Sequence, residues 1–387
     1  MGQEQKIKNK IVMMLLPAVV AMMNILIMVY PRESLAAARD GLALWAGNVL
    51  PGALPFVIGA NVLMSLGAVS FLGAALEPLM KSAFKMPGAA GFALAIGLVS
   101  GYPIGAKVVC EMRLRGELSR SQAQRLISFA NNAGPLFILG VVAAGMFSSR
   151  NLGYFLLAVH YGGALAVGLL MRIFWVKGDE EKNFDRQFPL HVRAIRAMEI
   201  ARRKDGQSLG QIFGQSVSKA VETMLLIGGF IVLFSVVSTI LQLTGFFRLL
   251  PFPQALRDGF MSGLIEMTGG IGMLSRQGIS RGVITLTAGL LGFGGTSILF
   301  QSVSFISKTD ISAALFVAAK AAHGLFSAAL AALLYPLFAV ALKNEAVSVY
   351  SPSAAAKLVH SSAFFAIVTI TLLILSVLII LYKALKK

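Results

Sequence analysis

The chain has 387 residues, of which 57% are hydrophobic and only 13% are charged, and its mean hydropathy is +0.78. A soluble domain carries about 25% charged residues, so this composition excludes an ordinary soluble protein and indicates a polytopic membrane protein. The net charge is +17, and in a membrane protein such an excess of basic residues is explained by cytoplasmic loops and by contacts with lipid headgroups. Because the basic residues do not alternate with aromatic ones, we expect no nucleic-acid partner.

Ten apolar segments follow one another along the chain. Five are long and uniform enough to span a bilayer as helices: 11–30, 46–67, 153–175, 219–243 and 361–383. Five others are less regular and carry Gly, Pro, Asn or charge in their interiors: 88–106, 124–147, 245–274, 282–306 and 311–342. Because backbone groups in lipid must be satisfied internally, the predicted fold class is an all-α polytopic membrane protein.

The order of these segments predicts five regions. They are an N-terminal transmembrane helix and connector (1–40), a first repeat (41–175), a cytoplasmic polar linker (176–215), a second repeat (216–342), and a linker with a C-terminal transmembrane helix (343–387). The first apolar segment is longer than the core of a signal peptide, so we expect it to stay uncleaved. Within the polar linker, residues 189–204 can form an amphipathic helix on the membrane surface. The side of the membrane that holds the C-terminus stays open.

The two repeats are recognised from short matches about 190 residues apart. GLVSGYPIGAK, which begins at Gly97, matches GLLGFGGTSIL, which begins at Gly289. FANNAGPLF at 129–137 matches VAAKAAHGLF at 317–326. Duplicated segments interrupted by Gly and Pro are typical of secondary transporters. We therefore expect an inverted repeat in which each half has a re-entrant hairpin and a broken helix, with the breaks meeting near the bilayer midplane.

Ionisable residues inside apolar segments mark function by default. Lys107, Glu266, Lys320 and His323 are of this kind, and Lys320 and His323 share one helical face. The structural alternative is an ion pair between helices or a lysine that reaches the interface, and for Lys107 the nearby Glu111 favours it. The full predicted substrate-binding set is Ser100, Gly101, Tyr102, Gly105, Lys107, Asn131, Asn132, Gly134, Glu266, Thr268, Phe293, Gly294, Gly295, Thr296, Ser297, Gln301, Lys320 and His323.

The polar and glycine members of this set have specific uses. The glycines of GFGGTS let backbone approach a ligand, and a helix that starts near Thr296 aims its N–H groups at an anion. Asn131 and Asn132 precede a Gly-Pro break and can bond a substrate, although hydrogen bonding between helices is the structural alternative.

The sequence contains none of the catalytic or metal-binding motifs considered. GYPIGAK differs from a phosphate-binding loop in its spacing, and Lys107 is followed by Val108 where Ser or Thr is required. The sequence has no HExxH or GxSxG, and its four histidines are not spaced as metal ligands. The lone Cys110 excludes an intramolecular disulfide. We expect no enzymatic activity, no metal and no cofactor, while Na⁺ or H⁺ remains open as a coupling ion.

The segments SGYPIGAK, GELS, FANNAGPLFILG and GLIEMTGG together resemble the YlbJ-type sporulation integral membrane proteins, from about residue 40 to about residue 340. This resemblance implies a nucleoside recognition or Gate domain, related to concentrative nucleoside transporters. It also implies a role in sporulation in the bacterial cytoplasmic membrane, at the outer forespore membrane, where the family is associated with moving dipicolinic acid.

Three functions are consistent with these observations. Dipicolinate is a flat dianion, and Lys107, Lys320, helix N-termini and the aromatic Tyr102 and Phe293 suit it because a buried charge must be paired. We therefore expect transport of a small organic anion by alternating access. A neutral nucleoside would use the amides and Glu266 instead, and a non-transporting scaffold or gate subunit in spore assembly is the third function. Small residues at 88–91 are also compatible with a homo-oligomer.

Overall fold

A computed structural model describes residues 17–67, 76–174, 206–249 and 253–343, together with Phe71, Ile195 and Glu199. Within these residues the chain is helical and contains no strand, which confirms the predicted fold class. The predicted C-terminal helix at 361–383 lies outside the described residues. So does the predicted amphipathic helix at 189–204, apart from Ile195 and Glu199.

The helices fall into two groups on either side of the polar linker. The first group is α1 (Pro17–Val29), α2 (Pro31–Leu44), α3 (Leu50–Ser65), α4 (Ala90–Ser100), α5 (Ile104–Leu114), α6 (Arg120–Ala130), the π-helical α7 (Leu136–Met146) and α8 (Arg150–Met171). The second group is α9 (Leu209–Leu243), α10 (Gln254–Ile265), α11 (Met267–Ser275), α12 (Arg281–Phe293), α13 (Gly295–Ile306) and α14 (Ala313–Lys343).

Several of these helices are long and apolar enough to cross a membrane. Within the described residues, four stretches meet this criterion, namely Arg150–Met171, Leu209–Leu243, Arg281–Ile306 and Ala313–Ala339. The α1–α2 pair, which is bent by 103°, is a fifth if it counts as one span. The chain is thus a polytopic integral membrane protein, as its composition predicts.

The N-terminal segments differ from the predicted pair of separate spans at 11–30 and 46–67. After the bend at Tyr30, α2 begins at Pro31 and continues through a π-helical turn at Trp45–Val49 into α3. Pro31 favours the start of a helix at this position. The N–H of a first helical residue has no partner within the helix, so proline, which has no N–H, loses nothing there. Similarly, α9 begins at Leu209, ten residues before the predicted span, because Ser208 and Gln211 form a capping box there.

Four of the five less regular segments are interrupted. The segments 88–106, 124–147, 245–274 and 282–306 each contain two helices separated by a break. In contrast, the segment at 311–342 is the single helix α14. Gly324 serves close packing, since a Cβ on it would lie 2.9 Å from the carbonyl oxygen of Gly289.

Corresponding helices of the two repeats occur in the same order. The series α4, break, α5, loop, α6 corresponds to α12, break, α13, loop, α14, and the breaks at Gly101 and Gly294 occupy matching places. α14 packs along α12, α8 and α6, while α9 packs along α2 and α3. Two large apolar clusters result, one around α4, α5 and α6 and the other around α7, α8 and α12. The inverted relation of the halves and the re-entrant hairpins stay predictions.

An ion pair joins the two repeats at one end of the bundle. Arg113, near the end of α5, donates from Nη2 to Asp310 Oδ2 over 2.8 Å and from Nε to Asp310 Oδ1 over 2.9 Å. Beside this pair, the amide N–H of Ser312 donates to Gln124 Oε1 over 2.6 Å. The hydrogen bonds from Arg113 lower the pKa of the exposed Asp310 carboxyl.

We expect Asp310→Asn to lower the Tm slightly at neutral pH and to have no effect in strong acid. A carboxyl whose pKa is depressed in the folded state contributes stability above its unfolded pKa of about 3.9 and loses it as the pH falls through the folded value. The measurement is the Tm of the detergent-solubilised variant against wild type as a function of pH, with Lys308→Gln in the same loop as control. A difference that does not shrink in acid contradicts this account of the ion pair.

Candidate functional site

Four helix breaks meet in the middle of the molecule. They lie at 101–103 between α4 and α5, 131–134 between α6 and α7, Glu266 between α10 and α11, and Gly294 between α12 and α13. Their backbones approach so closely that side chains are excluded. A Cβ on Gly101 would lie 2.8 Å from the amide nitrogen of Gly134, and a Cβ on Gly295 would lie 2.9 Å from the carbonyl oxygen of Gly263.

Side chains at these breaks join the two repeats. The hydroxyl of Tyr102 lies 2.8 Å from the sulfur of Met267 and 3.4 Å from the carbonyl oxygen of Leu291. Asn131 donates from its amide to the hydroxyl of Ser302 over 3.1 Å. The breaks therefore form one connected junction, and its position near the bilayer midplane stays a prediction.

A cavity of about 120 Å³ lies at this junction. Its apolar wall is formed by side chains of α2, α7, α9 and their neighbours, including Leu44, Val99, Phe137, Val141, Ile227 and Ile231. The polar groups on its wall come from the breaks and from α13: Ser100, Tyr102, Glu266, Thr268, Ser297 and Gln301. An apolar cavity with a few convergent polar groups is the usual form of a small-molecule site.

Glu266 places a carboxyl group on the cavity wall and is only 6% exposed. It is the N-cap of α11, where Oε1 accepts from the amide of Thr268 over 3.1 Å and Oε2 accepts from the amide of Gly269 over 2.7 Å. Both oxygens are thus held by the first turn of the helix, which fixes the orientation of the carboxyl group.

The start of α13 also faces the cavity. Gly294 and Gly295 have φ values of +90° and +76°, a conformation that glycine adopts without strain. Ser297 and Gln301 follow on the cavity side, and the amide of Gln301 donates to the hydroxyl of Ser297 over 3.2 Å. The first amides of a helix have no preceding turn to bond, and they carry the positive end of the helix dipole. This end of the cavity is therefore favourable for an anionic or electron-rich group.

Lys320 lies behind the cavity wall and is fully buried. Its Nζ donates to the carbonyl oxygen of Asn131 over 2.9 Å and to Nδ1 of His323 over 3.0 Å. The same Nζ lies 5.7 Å from the centre of the Tyr102 ring, and Tyr102 lines the cavity. An ammonium group at this distance interacts favourably with an aromatic ring. The cation is thus next to the cavity but separated from it by one ring.

Lys107 occupies a different environment. Its Nζ donates to the hydroxyl of Thr223 over 3.0 Å and lies 3.8 Å from Oε1 of Glu111. These contacts match the structural alternative considered for this residue. Lys107 is not among the residues that line the cavity.

The predicted site residues fall into two groups. Those that line the cavity are Ser100, Gly101, Tyr102, Gly134, Glu266, Thr268, Ser297 and Gln301. Those outside its wall are Gly105, Lys107, Asn131, Asn132, Phe293, Gly294, Gly295, Thr296, Lys320 and His323. A role in substrate binding stays a prediction for both groups. Sequence reasoning missed the apolar wall residues of α7 and α9, because a single apolar residue in an apolar helix carries no signal.

We expect Gly101→Ala to lower the free energy of unfolding by about 1–3 kcal/mol more than the control Gly116→Ala. Both glycines have positive φ, at +79° and +73°, but Gly101 has ψ of −178°, in a region essentially restricted to glycine, so alanine meets more backbone strain there. Only at Gly101 does the new Cβ also meet the backbone of Gly134, whereas nothing lies within 4 Å of it at Gly116. Denaturant unfolding of both variants in detergent measures the difference, and equal losses would contradict the close approach of the breaks.

The helices and their central cavity define a polytopic α-helical integral membrane protein. The chain is 38% identical over 328 residues to the sporulation integral membrane protein YlbJ of Bacillus subtilis (strain 168), an alignment that covers 80% of this chain and 79% of that protein. The chain therefore belongs to the YlbJ-type sporulation integral membrane proteins. No family model matches the chain, and no solved structure matches it. Membership of the nucleoside recognition or Gate domain group thus stays a prediction.

Proposed function

We propose that this protein is a transporter that moves dipicolinate, a small organic dianion, across the outer forespore membrane during sporulation. The observation that carries the proposal is the cavity of about 120 Å³ at the junction of four helix breaks, with the buried Lys320 behind its Tyr102 wall. Broken helices that enclose a site between two repeats are typical of secondary transporters. The relationship to a sporulation membrane protein supports the biological setting.

The electrostatics around the cavity support an anionic substrate in two ways. The N-terminal end of α13, near Ser297, offers amides and a positive partial charge to a carboxylate. Lys320 has no carboxylate within 4.0 Å among the described residues, so its charge is available to a ligand beyond Tyr102. The rings of Tyr102 and Phe137 on the wall provide flat apolar surfaces for a pyridine ring.

Alternating access requires contacts between the repeats that break and form again. The contact of Tyr102 with Met267, the bond from Asn131 to Ser302 and the exposed Arg113–Asp310 ion pair are of this kind. The repeats also share apolar packing, of α14 on α8 and α6 and of α9 on α2 and α3. Movement of one repeat against the other must therefore rearrange this packing as well as the polar contacts.

A nucleoside transporter is the second candidate, and the composition of the cavity wall favours it. Glu266, Thr268 and Gln301 supply a carboxylate, a hydroxyl and an amide, and none of the described wall residues is a lysine. Such groups suit the hydroxyls and amides of a neutral nucleoside. A non-transporting scaffold in spore assembly is the third candidate, and it predicts that none of these ligands binds.

Thermal stabilisation of the purified, detergent-solubilised protein separates the candidates. The panel is dipicolinate, other pyridine carboxylates, uridine and adenosine, each with and without Na⁺. A ligand that binds only the native state stabilises it by about 2.7 kcal/mol at a concentration of 100 Kd. We expect dipicolinate to raise the Tm. A shift with nucleosides alone would establish the second candidate, and no shift with any ligand would favour the scaffold.

A further inference from the structure

A chain of buried polar groups begins at Lys320 and leads away from the cavity. Nζ of Lys320 contacts Nδ1 of His323 at 3.0 Å, and Nε2 of His323 lies 2.9 Å from the carbonyl oxygen of His160. The rings of His323 and His160 are 4.7 Å apart. The amide N–H of Ala133 donates to Nε2 of His160 over 2.9 Å. All three side chains are fully buried.

These contacts assign the protons on both imidazoles. Since the His160 carbonyl oxygen can only accept, Nε2 of His323 carries a proton and donates to it, and Nδ1 of the neutral ring accepts from Lys320. Since Nε2 of His160 accepts from Ala133, its proton is on Nδ1. Both rings thus act as neutral acceptors, and Lys320 is the group among these three that can take up a positive charge.

Among the described residues, no carboxylate lies within 4.0 Å of Lys320 Nζ. The titratable side chains in contact with Lys320 or with the two imidazoles are Tyr102 at the α4–α5 break, His160 and Tyr161 on α8, and His323 on α14 itself. α6, which also packs on α14, carries Arg125, which donates to backbone carbonyl oxygens. Near the start of α14, Arg113 pairs with Asp310, and Arg281 of α12 donates to the carbonyl oxygen of Ala332 in α14. Glu266 is engaged by the amides of α11. Burying an unpaired charge is costly, so the protonated amine is a strained state.

Buried polar atoms without partners lie in the same region. They are Nδ1 of His160, Oδ1 of Asn132 and the hydroxyl oxygen of Ser327. The Ser327 hydroxyl and the edge of the His323 ring both lie over Gly163 of α8, where a Cβ would contact them. Buried polar atoms are normally satisfied, if not by protein then by water. Water molecules bonded to these atoms would satisfy them and would give a proton a passage to Lys320.

We propose that Lys320 is a proton-binding site that couples transport of the organic anion to H⁺, an inference that rests on the proposed function. One proton adds to the lone pair of the Lys320 amine and is released again to water in the passage; no other bond forms or breaks. His323 positions the amine through its Nδ1 lone pair. A proton on Lys320 places a positive charge behind Tyr102, which favours an anion in the cavity, so anion and proton bind together.

Titration calorimetry of the full-length protein with dipicolinate tests the coupling. Binding is measured in two buffers that differ in ionisation enthalpy, and the difference gives the number of protons taken up. Dipicolinate is already a dianion at neutral pH. We expect uptake approaching about one proton per ligand at some point between about pH 6 and about pH 9. Lys320→Met is expected to abolish this uptake, and Lys219→Met, at an exposed lysine of α9, is expected to retain it.

Several results would overturn the inference. Dipicolinate binding without proton uptake in the wild-type protein would do so and would leave the proposed function intact. Uptake that persists in Lys320→Met but disappears in Glu266→Gln would assign the proton to Glu266 instead. If dipicolinate does not bind, the proposed function fails, and the Tm difference between wild type and Lys320→Met then tests the proton site without substrate. That difference changes between about pH 6 and about pH 9 if Lys320 exchanges a proton, and a constant difference contradicts the proposal.

Discussion

Replacing Lys320 with methionine is expected to weaken dipicolinate binding by about 10- to 100-fold at neutral pH. The ammonium group lies 5.7 Å from the centre of the Tyr102 ring, which lines the cavity, so its charge acts on a dianion through a short, water-poor path. Methionine has a similar length and no charge, and it suits a fully buried position. The Kd from titration calorimetry measures the effect.

Lys219→Met provides the matched control, because it removes one lysine charge from an exposed position on α9. Its Kd for dipicolinate is expected to equal that of wild type. An unchanged Kd in Lys320→Met, with a Tm that shows a folded protein, would mean that Lys320 does not act on the ligand. Uridine binding, if present, is expected to be insensitive to this substitution because uridine is neutral.

Glu266→Gln is expected to have the opposite effect and to tighten dipicolinate binding by about tenfold. The carboxyl group of Glu266 lies on the cavity wall and repels a dianion, while glutamine keeps the size and an oxygen that accepts from the amide of Thr268 or Gly269. Loss of part of the helix cap is expected to cost about 1 kcal/mol of stability. Calorimetric Kd values and denaturant unfolding measure the two effects separately.

The sign of this second effect distinguishes the two transport functions. A nucleoside that bonds to the carboxylate would bind more weakly to Glu266→Gln, by about 1.5–3 kcal/mol for a hydrogen bond to a charged group. Glu222→Gln, at an exposed acid on α9, is the control. Weaker binding of dipicolinate in the folded Glu266→Gln protein would contradict a repulsive role of the carboxylate.

Much of the architecture could be predicted from the sequence. Composition alone gives an all-α membrane protein, and the glycine and proline positions locate the breaks at Gly101, Gly134 and Gly294. Glycine and proline indicate helix breaks because their effects on backbone conformation do not depend on distant contacts. The capping role of Glu266 is also compatible with its place before a helical segment, although the sequence suggests charge chemistry first.

Other features depend on tertiary contacts that cannot be predicted from the sequence. Lys320 bonds to the backbone oxygen of Asn131, and any residue at position 131 would offer that oxygen. The apolar wall residues Ile227 and Ile231 look like any lipid-facing residues of α9. Likewise, Gly324 lies within a continuous helix and packs closely against Gly289, which the sequence does not indicate. Distant partners, rather than local propensity, decide each of these cases.

Uptake of dipicolinate into proteoliposomes tests the central claim most directly. Vesicles that contain the purified full-length protein are loaded with Tb³⁺, which luminesces when dipicolinate enters and binds it. We predict a luminescence rise that saturates with external dipicolinate, exceeds that of protein-free vesicles and slows in Lys320→Met. A rate equal to that of protein-free vesicles, with correctly folded and inserted protein, would contradict transport of dipicolinate by this protein.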